Sequence, residues 1–243
     1  MRVLIFQTLF PLWTIFMLTF FAWVVLLPRV WVTRVQTWWG VGVMLMLRYL
    51  LNIRYEIRGI ENLPDGACVV ASKHQSIWDT IIWHIIVHDP AMVMKKELLS
   101  IPIYGWFAIK AQMIPVDRKA GAKALKTMLR AADEASAMGR PIIIFPEGTR
   151  TTPGEPGTYQ PGATALYRHL KLPAIPVAVN SGMFWNKNGI TRKGGTIVLE
   201  FEPAIPAGLA KKEFTAELAA RIEAATERLV AEHLENTGAP APA

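Results

Sequence analysis

Between Arg2 and Arg29 the chain carries no charged side chain, and this limits what it can fold into more than any other stretch. Its 26 uncharged, mostly apolar residues exceed the roughly 20 that a helix needs to cross a hydrocarbon core. A cleaved secretory signal fits poorly, because the apolar run is too long and lacks a clear small-x-small cleavage site. Gln7 and Pro11 interrupt the segment, and a second apolar stretch, Val35 to Leu47, has thirteen residues, too few to cross alone. That second stretch suits an interfacial or re-entrant helix. Five of the nine tryptophans, Trp13, Trp23, Trp31, Trp38 and Trp39, fall here, and tryptophan prefers the headgroup level. Residues 1–52 are therefore expected to form a two-helix membrane anchor, either one span with an amphipathic helix after it or a hairpin within one leaflet. Arg29, Arg34, Arg48, Arg54 and Arg58 follow the apolar segment and only Arg2 and the terminal amine precede it. The positive-inside rule then predicts that the rest of the chain lies on the cytoplasmic face of the inner (plasma) membrane.

Residues 53–236 read as one α/β domain. Apolar strand-like runs at 67–72, 92–94, 112–116, 141–145, 174–179 and 196–201 alternate with helical stretches at 78–87, 120–138 and 163–169. Such alternation predicts a largely parallel sheet covered by helices. Phe214, Leu218, Ile222, Ala225 and Leu229 recur at helical spacing and predict a C-terminal helix packed on the domain. The Ala/Pro-rich residues 237–243 are expected to be a disordered tail. The net charge of +7 points to polyanionic partners, but the basic residues are scattered and no zinc-finger or RNA-binding signature is present. An anionic membrane surface and anionic substrates explain the charge, and no nucleic acid is expected. Cys68 is the single cysteine, which excludes an intramolecular disulfide and is compatible with a reducing compartment.

Two polar blocks carry the chemistry. Lys73-His74-Gln75-Ser76-Ile77-Trp78-Asp79 follows an apolar run and sets a histidine five residues ahead of an aspartate. A carboxylate accepting from one imidazole nitrogen fixes the tautomer and leaves the other nitrogen to take a proton from a hydroxyl. Residues five apart on an ideal helix point about 140° away from each other. His74 is thus expected on a strand-to-helix turn and Asp79 in the first helical turn, folded back towards it. The second block, Phe145-Pro146-Glu147-Gly148-Thr149-Arg150, also emerges from an apolar strand-like run. Gly148 allows close backbone approach, Thr149 offers a hydroxyl, and Arg150 offers a planar fork suited to phosphate.

Together these blocks resemble the glycerolipid acyltransferase family, in particular its 1-acylglycerol-3-phosphate acyltransferases. Lys95-Lys96-Glu97-Leu98-Leu99, Ile114-Pro115-Val116-Asp117-Arg118 and Leu172-Pro173-Ala174-Ile175-Pro176-Val177 look like its intermediate and fourth motifs, so the resemblance covers roughly residues 55 to 205. It implies a base and its orienter at His74 and Asp79. It implies phosphate contacts from Lys95 and Arg118, and a glycerol site from Glu147, Gly148, Thr149 and Arg150. The implied reaction is transfer of an acyl group from acyl-CoA or acyl-carrier protein to a lysophospholipid hydroxyl, with no other cofactor and no covalent acyl-enzyme. Backbone N–H groups at the start of the helix after His74, or around Gly148, would stabilise the oxyanion. Lys73 departs from the family pattern, which often has a neutral residue there. Two roles are open to it, lowering the imidazole pKa or contacting an anionic substrate.

Other readings stay open. The same machinery would serve glycerol 3-phosphate or a lyso-aminolipid as acceptor, and a non-catalytic membrane-binding protein would keep the fold. Lys95 and Arg118 together favour a phosphate. Ser76 and Cys68 are the nominal nucleophiles for a double displacement, but Ser76 suits a helix cap and Cys68 a small core position. His84 and His88 have the i, i+4 spacing of zinc helices without the following glutamate or a third ligand, so no metal is expected.

Overall fold

The computed structural model describes residues 1–190 and 194–237. The expected tail at 237–243 lies, beyond Thr237, outside the described residues. Two long helices come first: α1 (Arg2–Phe20) and α2 (Arg29–Leu51), linked by a 3-10 turn at Ala22–Leu26. Pro28, whose ring fixes its backbone torsion, immediately precedes α2, and Asn52 in the left-handed region (φ 53°) ends it. The helices run antiparallel. Phe6 packs in the cluster of Val43, Leu47 and Leu51, while Met17 meets Val32 and Val35. The Trp13 indole N–H donates to Trp39 O at 3.0 Å, and the Trp39 indole N–H donates to Thr14 Oγ1 at 3.1 Å.

Glycines set the closeness of this packing. A Cβ on Gly42 would lie 2.6 Å from the Trp13 ring, and one on Gly40 would lie 3.1 Å from Ile85 of the next helix. The stretch between Arg34 and Arg48 is not a short helix of its own. It is the centre of a 23-residue helix held between α1 and the domain. Met44, Leu47 and Leu51 share one core with Val70, Trp78 and Ile81, so the boundary expected at residue 52 runs between elements that pack as one body.

The sheet then forms from β1 (Ile53–Arg58), β2 (Val69–Ser72), β3 (Ala91–Lys95), β4 (Ile114–Val116), β5 (Ile142–Ile144), β6 (Ala174–Val179) and, after the small hairpin β7 (Trp185–Asn186) and β8 (Gly189–Ile190), β9 (Gly195–Phe201). The seven-stranded order is β1-β9-β6-β2-β5-β3-β4, and every pair is parallel except β6 with β9. The expected largely parallel sheet is thus observed. Helices α3 (Trp78–Ile86), α4 (Tyr104–Lys110), α5 (Ala122–Ala137), α6 (Pro161–Leu170) and α7 (Lys211–Thr237) cover it.

Central strands buried on both faces need no polar alternation, which is why β5 reads Ile-Ile-Ile and β6 is apolar throughout. Their side chains still alternate between faces. Val70, Ile143 and Ile175 join the core under α2 and α3. Val69, Ile142 and Ala174 join the core under α5, α6 and α7, where Phe214, Leu218 and Ile222 of the C-terminal stripe are buried. The centre of the sheet is β2, between β5 and β6. Its carboxyl end carries His74.

Candidate active site

His74 sits in the turn between β2 and α3, at the carboxyl ends of the parallel strands where α/β sheets open to ligands. Its Nδ1 lies 3.1 Å from Oδ2 of Asp79, in the first turn of α3. Asp79 is fully buried, and the same Oδ2 accepts from the backbone N–H of Gln75 at 2.6 Å and of Ser76 at 2.7 Å. Its Oδ1 accepts from the Ser181 hydroxyl. With three other donors aimed at this carboxylate, a hydrogen on Nδ1 of the ring completes its set of contacts. Nε2 is left as the basic edge. The ring stacks on Phe145 with centroids 4.2 Å apart, which fixes its plane.

The turn is braced from both neighbouring strands. From the loop after β5, Glu147 Oε2 accepts the His74 N–H at 2.9 Å. Thr151 donates its backbone N–H to His74 O at 2.8 Å, and its hydroxyl reaches the same oxygen at 3.1 Å. From the loop after β6, Gly182 N–H donates to Gln75 Oε1 at 3.0 Å, beside the Ser181 bond to Asp79.

Beneath the turn lies a buried ion cluster. Lys73 Nζ is 2.7 Å from Glu147 Oε1 and 2.7 Å from Glu223 Oε2, with the lysine side chain 1% exposed. Tyr159 donates its hydroxyl to Glu223 at 3.0 Å. Burial pushes the Glu147 carboxyl above its ordinary pKa, and the Lys73 ammonium pulls it back down. The Lys73 ammonium is therefore sealed from substrate and paired with two carboxylates. Glu147, expected to contact the glycerol, lines the same cavity as His74, and its oxygens also meet Lys73, Thr151 and the His74 backbone.

The remaining expected residues ring one cavity of about 940 Å³ that His74 opens into. Lys95 ends β3, Arg118 follows β4, and Gly148, Thr149 and Arg150 follow β5, so with His74 after β2 four neighbouring strands contribute. Gly148 has φ 68°, and the Arg118 guanidinium lies 3.7 Å from where its Cβ would be. Lys95, Arg118 and Arg150 line the cavity, and among the described residues the one carboxylate in its lining, Glu147, is bonded to Lys73, which suits the cavity to a dianion such as a phosphate monoester. Its apolar lining comes from Met17, Val35 and Trp39 of the first two helices and from Met92, Phe107 and Met113. His84 also lines it, and burial lowers its pKa to about 4, leaving it neutral.

Several oxyanion donors expected at the helix start and around Gly148 are committed elsewhere. The Gln75 and Ser76 amides serve Asp79, the Trp78 amide serves Ser76 Oγ, and the Gly148 amide serves Phe145 O. Ser76 is fully buried with its oxygen on the helix start, and burial pushes the Cys68 thiol up to about 12. Asp89 is bound to Arg29 at 2.7 Å and to Arg140 at 3.3 Å, tying α2 to the loop after α3.

A histidine base held by a buried aspartate, in one cavity lined by cations and by apolar side chains, is the arrangement an acyltransferase needs. The Acyltransferase family model matches residues 54–180, and the chain belongs to that family. Over 198 residues it is 38% identical to the 1-acyl-sn-glycerol-3-phosphate acyltransferase of Pseudomonas aeruginosa, covering 82% of this chain and 77% of that one. Over 171 residues it is 27% identical to the enzyme of the same name from Saccharomyces cerevisiae, covering 68% of this chain and 56% of the yeast protein. The crystal structure of the 1-acyl-sn-glycerophosphate acyltransferase of Thermotoga maritima superposes with a TM-score of 0.74 across the whole of both chains at 22% identity, a likeness of fold.

Ser181 and Glu223 were not foreseen. Ser181 is 102 residues from the aspartate it serves, and Glu223 is 150 from Lys73, so no local spacing marks either.

Proposed function

We propose that this chain transfers a fatty acyl group from an acyl thioester to the free sn-2 hydroxyl of lysophosphatidic acid, giving phosphatidic acid. The observation that carries the reading is that His74, held by Asp79, lines one cavity together with Lys95, Arg118 and Arg150 and with apolar side chains of α1, α2 and α4. The phosphate of the acceptor meets Lys95, Arg118 and Arg150, and the acyl chain lies against the apolar side chains. His74 Nε2 takes the hydroxyl proton, the oxygen attacks the thioester carbonyl, the C–S bond breaks, and the imidazolium returns the proton to the departing thiolate. Asp79 steadies the imidazolium, and Glu147 holds the His74 backbone.

The same reading puts the catalytic face at the cytoplasmic surface of the inner membrane, with α1 and α2 as a hairpin in one leaflet. It is supported by α1, a 19-residue apolar helix long enough to cross a membrane yet packed lengthwise on α2, which belongs to the domain core. Leu12, Ile15, Phe16 and Phe20 of α1 remain exposed, as lipid-facing side chains would.

The test is turnover of the full-length protein in lipid vesicles with lysophosphatidic acid, glycerol 3-phosphate or a lyso-aminolipid, each with a hexadecanoyl thioester. Lysophosphatidic acid should be consumed fastest, and His74→Ala should abolish product. Equal turnover by the variant overturns the mechanism, and preference for a lyso-aminolipid overturns the acceptor.

A further inference from the structure

Resting on the acyl-transfer reading, we propose that the outer face of α5 is a docking surface for a small acidic carrier protein that presents the acyl thioester on a flexible arm. From residue 118 to residue 132 the chain holds five cations, Arg118, Lys119, Lys123, Lys126 and Arg130, and no acid. At 100° per residue Lys123, Lys126 and Arg130 fall within an arc of about 60° and span about 10 Å of helix. All three are exposed, and among the described residues the one ion pair made by any of them is the loose Arg130–Glu134 contact at 3.4 Å.

The face is also shaped. A groove of about 390 Å³ runs beside these cations, floored by Leu125 and Leu129, with Asp133 at its far end held by His169 at 2.9 Å. Leu125 lines both this groove and the cavity that contains His74, so an arm leaving a partner seated on α5 has a short path to the base. A stripe of charge over apolar residues, beside the cavity that holds His74, suits an acidic helix better than it suits one small anion.

A membrane is the competing occupant of a basic face, and two observations disfavour it. A helix that lies on lipid needs a broad free apolar face, whereas Met128, Ala132 and Ala135 of α5 are spent in the core with Ile114 and Ile142, leaving Leu125 and Leu129 as the large apolar residues of its outer groove. α5 itself carries no tryptophan or tyrosine to anchor it at an interface.

The experiment compares the full-length protein with its Lys123→Glu/Lys126→Glu/Arg130→Glu variant in mixed micelles. Each is assayed with one acyl group on bacterial acyl-carrier protein and with the same group on coenzyme A. The expected result is at least a tenfold rise in KM for the carrier-bound donor, with kcat/KM for the coenzyme A donor within twofold. An equal fall on both donors, as a small-anion site or loosened membrane attachment would give, overturns the proposal, and so does no change. Binding of unacylated carrier protein, followed by fluorescence anisotropy, gives a readout that survives failure of the proposed reaction. Wild type should bind and the variant should not, and equal binding or none overturns the surface whatever the acceptor proves to be.

Discussion

Lys73→Met places an apolar side chain of similar reach where the ammonium now lies 2.7 Å from both Glu147 and Glu223. Glu147 is buried to 1% of its side chain and Glu223 to 20%, so the substitution strands one carboxylate in the interior and a second at its edge. Breaking a buried pair from one side costs about 3–5 kcal/mol, and the full figure applies only while the stranded acid stays ionised. Burial already raises the Glu147 pKa, and Lys73 is the main influence opposing that rise. Without it the folded-state pKa climbs further above the unfolded value. A carboxyl so raised contributes stability below the unfolded pKa and loses it as pH rises through the folded one. The deficit of the variant should therefore be about 3–5 kcal/mol at pH 8 and should narrow steadily towards pH 5. Unfolding in detergent followed by tryptophan fluorescence measures it. Adding Glu147→Gln should recover more than 1 kcal/mol, because a neutral amide no longer needs the cation. A deficit below about 1 kcal/mol at pH 8, or one independent of pH, would refute the claim that this cluster is a coupled buried unit.

Asp79→Asn confronts the Gln75 and Ser76 amides with a side chain that cannot accept from every donor now present, and it frees the histidine tautomer. It should lower kcat about 10²–10⁴-fold with the acceptor KM little changed, and a loss under tenfold would remove Asp79 from its role. His84 has its pKa lowered by burial from 6.5 to about 4, so the folded state binds its proton less readily than the unfolded chain. Stability should accordingly fall as pH drops from 6.5 to 4, by up to about 3 kcal/mol, and His84→Leu should flatten that slope in thermal unfolding scans. Cys68, fully buried with its thiol near 12, should resist maleimide until the protein is denatured, and rapid labelling of the native form would contradict the packing. Gly42→Leu drives a side chain into the Trp13 ring. It should cost about 1–3 kcal/mol and expose α1 to protease, and unchanged protection would show that α1 does not rest on α2.

What was legible beforehand follows from the range over which each signal acts. The strands at 174–179 and 196–201 and the helix beginning at Trp78 were legible because periodicity and apolar runs are local, and β6 matches residue for residue. β1 is missing from the expected strands, although Ile53, Tyr55 and Ile57 alternate with Arg54, Glu56 and Arg58, because this period-2 pattern directly follows the apolar helices. α4 has seven residues and no cap, too little to register. The His74–Asp79 spacing showed that the pair needs a turn, and β2 to α3 supplies it. The support of that turn arrives from chain 73 to 150 residues away, through Glu147, Ser181 and Glu223. Such contacts are chosen by strand order, since β5 and β6 flank β2 and their loops reach the same corner. A base needs rigid support more than it needs a neighbour in sequence. Residues that touch no substrate, Lys73 and Glu223 foremost, should then depress kcat when changed while leaving the acceptor KM in place.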